Sequence, residues 1–140
     1  MIILGISCFY HDAAACLLKD SKIIAAAEEE RFTRKKHDNS FPFNAIDYCL
    51  KESGITIDNV DYVGFYEKPF FKFDRILQTF VETFSSSFML FYSAIPSWVN
   101  EKLRIRSIIK NKLGYKGEVL FVDHHTSHAA SAFFVSPFKS

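Results

Sequence analysis

Residues 2–8 form an unbroken apolar run rich in β-branched side chains, which predicts a strand buried on both faces. Phe9-Tyr10-His11-Asp12 interrupts it as a turn, and residues 13–18 resume as a second strand. Lys19-Asp20-Ser21 is a polar turn, followed by a third strand over 22–27. Strands joined by such short turns make an antiparallel meander. The charge block Glu28-Glu29-Glu30-Arg31 then leads into a polar loop over 33–40. Residues 43–53 carry Ile46, Cys49 and Leu50 at helical spacing, and Gly54 stands where a glycine ends a helix. A fourth strand is expected over 61–66, with Val63 and Phe65 on one face. Residues 73–92 carry Leu77, Phe80, Val81, Phe84, Phe88 and Phe91, a helical stripe interrupted at Ser85-Ser86-Ser87. Ser97 suits the N-cap of a further helix that reaches about Lys112 and stops at Gly114. A fifth strand over 118–122 feeds a histidine-rich segment that begins the last helix.

A meander followed by β-α units in a mixed sheet is an α/β pattern. Its element order matches a ribonuclease H-like half-domain of the actin-like ATPase and sugar-kinase superfamily, a reading that gives no chemistry by itself. At 140 residues the chain is one domain's worth of polypeptide. The last residues, 136–140, bring neither a terminal helix nor a polar tail, and a half-domain of this kind closes its ligand site against a second half; residues 1–140 are therefore expected to be the amino-terminal segment of something longer.

Composition changes the picture in three places. Hydrophobic residues at 49% and charged ones at 24% are ordinary for a globular protein, but the 16 phenylalanines are not. The stripe from Phe70 to Phe91 exceeds what one helix buries, so part of it is expected to pack against the rest of the polypeptide or another subunit. A formal net charge of +1 gives no reason to expect a nucleic-acid or membrane partner. Cys8, Cys16 and Cys49 are odd in number and lack metal-type spacing, which fits buried thiols in a reducing compartment. The start lacks a basic leader and a cleavage site, and the apolar patch over 88–96 falls well short of the about 20 residues that cross a bilayer. A cytoplasmic location is expected.

Two clusters carry candidate chemistry. Three of the five histidines fall in Asp123-His124-His125-Thr126-Ser127-His128. His124 and His128 lie one helical turn apart, which lets two imidazoles aim at one divalent metal at the carboxyl end of a strand. An inert pair on a helix face has the same spacing. Asp123 is a candidate outer partner for a metal-bound imidazole, and His125 a supporting residue. The second cluster is His11-Asp12 on the first hairpin, before the small residues Ala13, Ala14 and Ala15. There His11 could act as a general base, with Asp12 orienting it or holding a cation; the bland alternative is an exposed turn. Arg31, Arg34, Lys35 and Lys36 read as a solvated loop or as a clamp on an anion. The six basic residues from Lys102 to Lys116 read as a wet helix face.

Five motifs in order resemble one family. They are Leu4-Gly5-Ile6; Tyr10-His11-Asp12-Ala13-Ala14-Ala15; Glu28 to Arg34 with Lys36-His37-Asp38; Phe41-Pro42; and Asp123 to Phe133. Together they resemble the amino-terminal part of the O-carbamoyltransferases of antibiotic and nodulation-factor biosynthesis. The resemblance implies a longer protein in which another domain makes carbamoyl-adenylate from carbamoyl phosphate and ATP. It implies that the present domain passes the carbamoyl group to a hydroxyl of a sugar or natural-product acceptor, with a bound metal, iron by the family pattern. His124 and His128 match the family's metal ligands, and His11 the histidine beside the transferred group. The family's remaining ligands are aspartates, some of them beyond Ser140, so these 140 residues alone are expected to be inactive and to bind metal weakly. Ala13 and Ala14 replace serines common among relatives, which leaves any phosphate contact there to backbone N–H groups. Two other functions fit the fold: ATP-dependent phosphoryl transfer of the sugar-kinase type, and a non-catalytic binding module.

Overall fold

Alternation, more than uniform apolarity, governs the first strand. In the computed structural model, whose described residues are 1–68, 78 and 104–137, β1 (Ile2–Ser7) buries Leu4 and Ile6 while Ile3, Gly5 and Ser7 remain half-buried. The expected burial on both faces therefore holds on only one face among the described residues. β2 (Ala14–Lys19) pairs antiparallel with β1, setting Leu4 opposite Leu17 and Gly5 opposite Cys16. β3 (Lys22–Glu28) continues the meander, with a register irregularity at Leu17/Leu18. Asp20 and Ser21 make the connection with φ of 49° and 65°. Two consecutive positive φ values give the primed turn whose twist matches that of paired strands.

The charge block folds into α1 (Glu30–Thr33), a single turn that carries no periodic signal. α2 (Phe43–Ser53) has the expected bounds, buries Ala45, Ile46 and Cys49, and packs on β2 and β3. Gly54 closes it at φ 65°, its N–H donating to Leu50 and Lys51 carbonyls. That left-handed backbone costs a Cβ-bearing residue energy, which is why glycine ends the helix. At the other end Pro42 offers no side-chain cap, and the buried carboxylate of Glu29 does so from a distance. It accepts from the backbone N–H of Asn44 at 3.2 Å, the Asn44 side-chain amide at 2.6 Å and the N–H of Ala45 at 2.8 Å. An anion at a helix N-terminus satisfies orphan donors and opposes the helix dipole.

β4 (Tyr62–Phe65) runs parallel to β1 and buries Val63 and Phe65. α3 (Ile105–Leu113) buries Ile105 and Ile109 and ends at Gly114, φ 65°. Arg104, Arg106, Lys112 and Lys116 are exposed, as a solvated face requires. The stripe over 73–92 and the proposed Ser97 cap lie outside the described residues. β5 (Glu118–Phe121) runs parallel to β4, and α4 (His124–Phe133) follows. The Tyr115 hydroxyl donates to the carbonyl of Asp61 at 2.8 Å, tying the entry to β5 to the entry to β4. A Cβ at Gly117 would overlap the Tyr115 ring, so this position needs glycine.

The strand order is β3-β2-β1-β4-β5, a five-stranded mixed sheet in an α/β fold. The chain divides into two compact units, Met1–Glu67 with Tyr115–Ser140, and Lys68–Gly114. In the first unit the sheet determines where chemistry can occur. β1, β4 and β5 are parallel, with Ile6 beside Phe65 and Phe65 beside Phe121, so their carboxyl ends share one edge. β3 ends there too, because Glu28 pairs with Ala14 and Ala14 with Ser7.

Candidate functional site

Four connections leave that edge: the loop after β1, α1 and its following loop, the segment after β4, and the start of α4. The loop after β1 is pinned to residues 38–39. The N–H of Phe9 donates to the Asn39 carbonyl and that of Ala13 to the Asp38 carbonyl, each at 2.8 Å. The Asn39 amide returns a bond to the Tyr10 carbonyl at 3.2 Å. Phe9 itself has φ 67°, an uncommon backbone for a bulky residue and one held by these bonds. Asp38 is buried beneath this clamp and accepts from the Ser40 N–H at 3.1 Å. Hydrogen bonds from the Ser40 side chain, the Ser40 backbone and Thr33 hold its carboxyl below the ordinary value.

Within this loop the two candidate residues part company. The His11 ring lies 4.1 Å from the Tyr10 ring, centroid to centroid. The Asp12 carboxylate turns instead to His37, its Oδ1 at 3.0 Å from the His37 Nδ1. His37 had no role in the sequence reading, although it stands inside one of the quoted motifs. A separation of 25 positions along the chain hides the pair from any local pattern. Arg31 is engaged by Glu28 at 3.1 Å, while Arg34 and Lys36 are exposed and form no ion pair among the described residues.

Across the edge, roughly 10 Å away by two interstrand spacings, α4 begins. Asp123 caps it, accepting from the N–H groups of His125 at 3.2 Å and Thr126 at 3.3 Å. Its Oδ1 thus serves the helix terminus. His124 and His128 bring their Nε2 atoms to 3.2 Å. Two nitrogens at that separation, each about 2.1 Å from a common cation, would meet it at roughly a right angle. The chemistry of the donor set therefore fits a divalent metal as half a site. Among the described residues no third histidine, cysteine, aspartate or glutamate joins them. His124 Nδ1 is buried and has no hydrogen-bond partner among the described residues. The His124 ring also sits 5.7 Å from that of Tyr66, whose phenol is raised well above its ordinary value by burial and then by the Glu67 carboxylate.

Under the edge, the less buried sheet face forms a concave surface of about 1220 Å³. Gly5, Cys16, Ala26 and Gly64 floor it, and Ser127 and Ser131 of α4 flank it. The thiol of Cys49, on the opposite side, is pushed up to about 11 by burial, which keeps it protonated and inert. No described helix is long and apolar enough to cross a membrane.

A mixed sheet whose parallel strands gather polar loops at one edge defines an α/β protein, and that edge carries the candidate site. The family model described as "Carbamoyltransferase N-terminus" matches residues 2–140, and the chain belongs to that family. It is 50% identical over 97% of its length to an uncharacterized protein of Synechocystis sp., of which it covers 23%. It is 37% identical over 94% of its length to the nodulation protein NolNO of Sinorhizobium fredii, covering 18% of that protein. An uncharacterized protein of Methanocaldococcus jannaschii is 38% identical over 67% of this chain, which covers 18% of it. The chain thus spans less than a quarter of the length of these relatives.

Proposed function

We propose that the full-length protein is an O-carbamoyltransferase. It moves a carbamoyl group from carbamoyl-adenylate, made from carbamoyl phosphate and ATP, to a hydroxyl of a sugar or natural-product acceptor. The observation that carries this reading is the family match along essentially the whole chain. The strand order, with a meander joined to parallel β4 and β5, supports a ribonuclease H-like half-domain of the actin-like type, completed by the remainder of the polypeptide. The protein works in the cytoplasm, without a nucleic-acid or membrane partner.

The chemistry needs three things from the chain. An imidazole must receive the acceptor's proton as its oxygen attacks the carbamoyl carbon. The carbonyl oxygen and the departing phosphate must be steadied as charge moves onto them. Water must be kept away from the mixed anhydride. His11, the residue indicated by the resemblance, stands on the loop from which an imidazole can reach the transferred group. Arg34 and Lys36 offer positive charge to phosphate, whereas the Ala13 N–H is committed to the Asp38 carbonyl and Ala14 and Ala15 are paired within the sheet. His124 and His128 would hold a divalent metal, iron by the family pattern, together with carboxylates from outside the described residues. Such a cation supplies Lewis-acid polarisation of an oxygen.

The test is to incubate the full-length protein with carbamoyl phosphate, ATP and candidate hydroxyl acceptors. A carbamoylated product with AMP is expected. ADP with a phosphorylated acceptor would replace this reading with a kinase, and neither product would leave a binding module.

A further inference from the structure

We propose that His37, fixed by Asp12, is the imidazole that accepts the acceptor's proton, in place of His11. The assignment rests on the carbamoyl-transfer reading above. A catalytic base needs a free lone pair, a defined tautomer and access to the substrate. His37 meets all three. Its Nδ1 lies 3.0 Å from the Asp12 Oδ1, so the proton belongs on Nδ1 and the lone pair on Nε2. Its side chain is 68% exposed at the sheet's carboxyl edge, where a substrate can reach it. By contrast, the His11 ring leans on Tyr10, and no carboxylate fixes its tautomer among the described residues.

The backbone adds a second line of support. His37 has φ 55°, a left-handed conformation that a histidine holds at a cost, and its N–H donates to the Glu30 Oε2 at 3.2 Å. The neighbouring carbonyls of Asp38 and Asn39 hold the two ends of the loop that carries Asp12. The whole arrangement serves to keep Asp12 and His37 in register. A loop that needed only to turn would have no use for a strained histidine facing a carboxylate.

The step balances as follows. The acceptor's O–H proton passes to the His37 Nε2 while its oxygen bonds to the carbamoyl carbon of the mixed anhydride. The bond from that carbon to the bridging phosphate oxygen breaks, and AMP leaves with the electron pair. His37, now protonated and stabilised by Asp12, returns its proton to solvent.

The experiment uses the full-length protein with carbamoyl phosphate, ATP and an acceptor hydroxyl. His37→Ala is expected to lower the transfer rate by about 100-fold or more, the usual contribution of a general base. Free imidazole in the buffer should restore part of that loss, because the site is open to solvent. Asp12→Asn, which permits the wrong tautomer, should lower the rate at least about tenfold. Amide exchange at Phe9 and Ala13 in each variant reports whether the loop clamp survives. Nitrogen-15 shifts of the His37 ring should show Nδ1–H in the wild type and lose that preference in Asp12→Asn. Wild-type transfer by His37→Ala would overturn the assignment, as would rescue by imidazole of His11→Ala but not of His37→Ala, or a ring protonated on Nε2 alone. A wild-type protein that yields no carbamoylated product defeats the transferase reading itself, a failure recognisable because the wild type, not the variant, is silent.

Discussion

The two ends of the sheet's carboxyl edge differ in how far their polar groups are already spoken for. Around β1, α1 and α2, donors and acceptors form closed circuits: Glu29 holds the start of α2, Asp38 holds Ser40, and residues 38–39 grip the loop after β1. At α4 the helix cap is closed, but the two histidines are not. His124 and His128 point their nitrogens at each other, the His124 Nδ1 is buried without a partner among the described residues, and Phe134 is 81% exposed. Buried polar groups without partners are costly, so they mark where atoms from elsewhere are required. The first region is therefore self-sufficient scaffolding that presents its chemistry ready-made. On the proposed reading, the second is half of a metal site that another part of the protein completes.

That contrast can be broken most forcefully at Glu29. It is 2% exposed and accepts three hydrogen bonds, so Glu29→Ala leaves the first turn of α2 without its cap. A loss of about 3 kcal/mol in the local stability of α2 is expected, read as faster amide exchange at Asn44 and Ala45 in the full-length protein. Gly54→Ala acts at the opposite end of the same helix, where φ is 65°. The expected loss is about 1 kcal/mol, measured by native-state exchange of the α2 amides.

Asp38 gives the contrast a pH signature. Its carboxyl is held below the ordinary carboxylate value in the folded chain, chiefly by the hydrogen bond from the Ser40 side chain. Its contribution is therefore complete above about pH 4, near the unfolded value, and is lost as the pH falls through the folded one. Protection of the Ala13 amide, corrected for intrinsic exchange, should fall with acid in the wild type and lose that dependence in Asp38→Asn. The smallest effect belongs to His125. Its N–H serves the Asp123 cap and its ring is exposed, so His125→Ala should change metal affinity by less than about twofold, followed by titration of the metal-free full-length protein.

How much of this was legible in the sequence depended on distance along the chain. α2 could be read to the residue, because its apolar spacing and its terminal glycine are both local signals. The alternation of Val63 and Phe65 likewise located β4. β1 misled, because Ile3 and Gly5 are as apolar as the buried Leu4, and only the tertiary arrangement shows that their side of the sheet is partly open. Glu29 looked like one member of a solvated charge run, and its burial became visible only once α2 lay beside it. The pairing of Asp12 with His37 follows the same rule. Nothing within a helical turn of either residue announces the other. By contrast, the spacing of His124 and His128 is itself the local signal, since one turn of helix stacks their rings. What that spacing left open was the role of Asp123, whose carboxylate faces two N–H groups at the start of α4.

The most direct measurement is the metal content and coordination of the anaerobically purified full-length protein, determined by elemental analysis and X-ray absorption. About one equivalent of divalent metal with two imidazole nitrogens at about 2.1 Å is expected, and either His124→Ala or His128→Ala should weaken its binding by more than about tenfold. An unchanged metal content and coordination shell after both substitutions would contradict the assignment of these two histidines as half of a metal site.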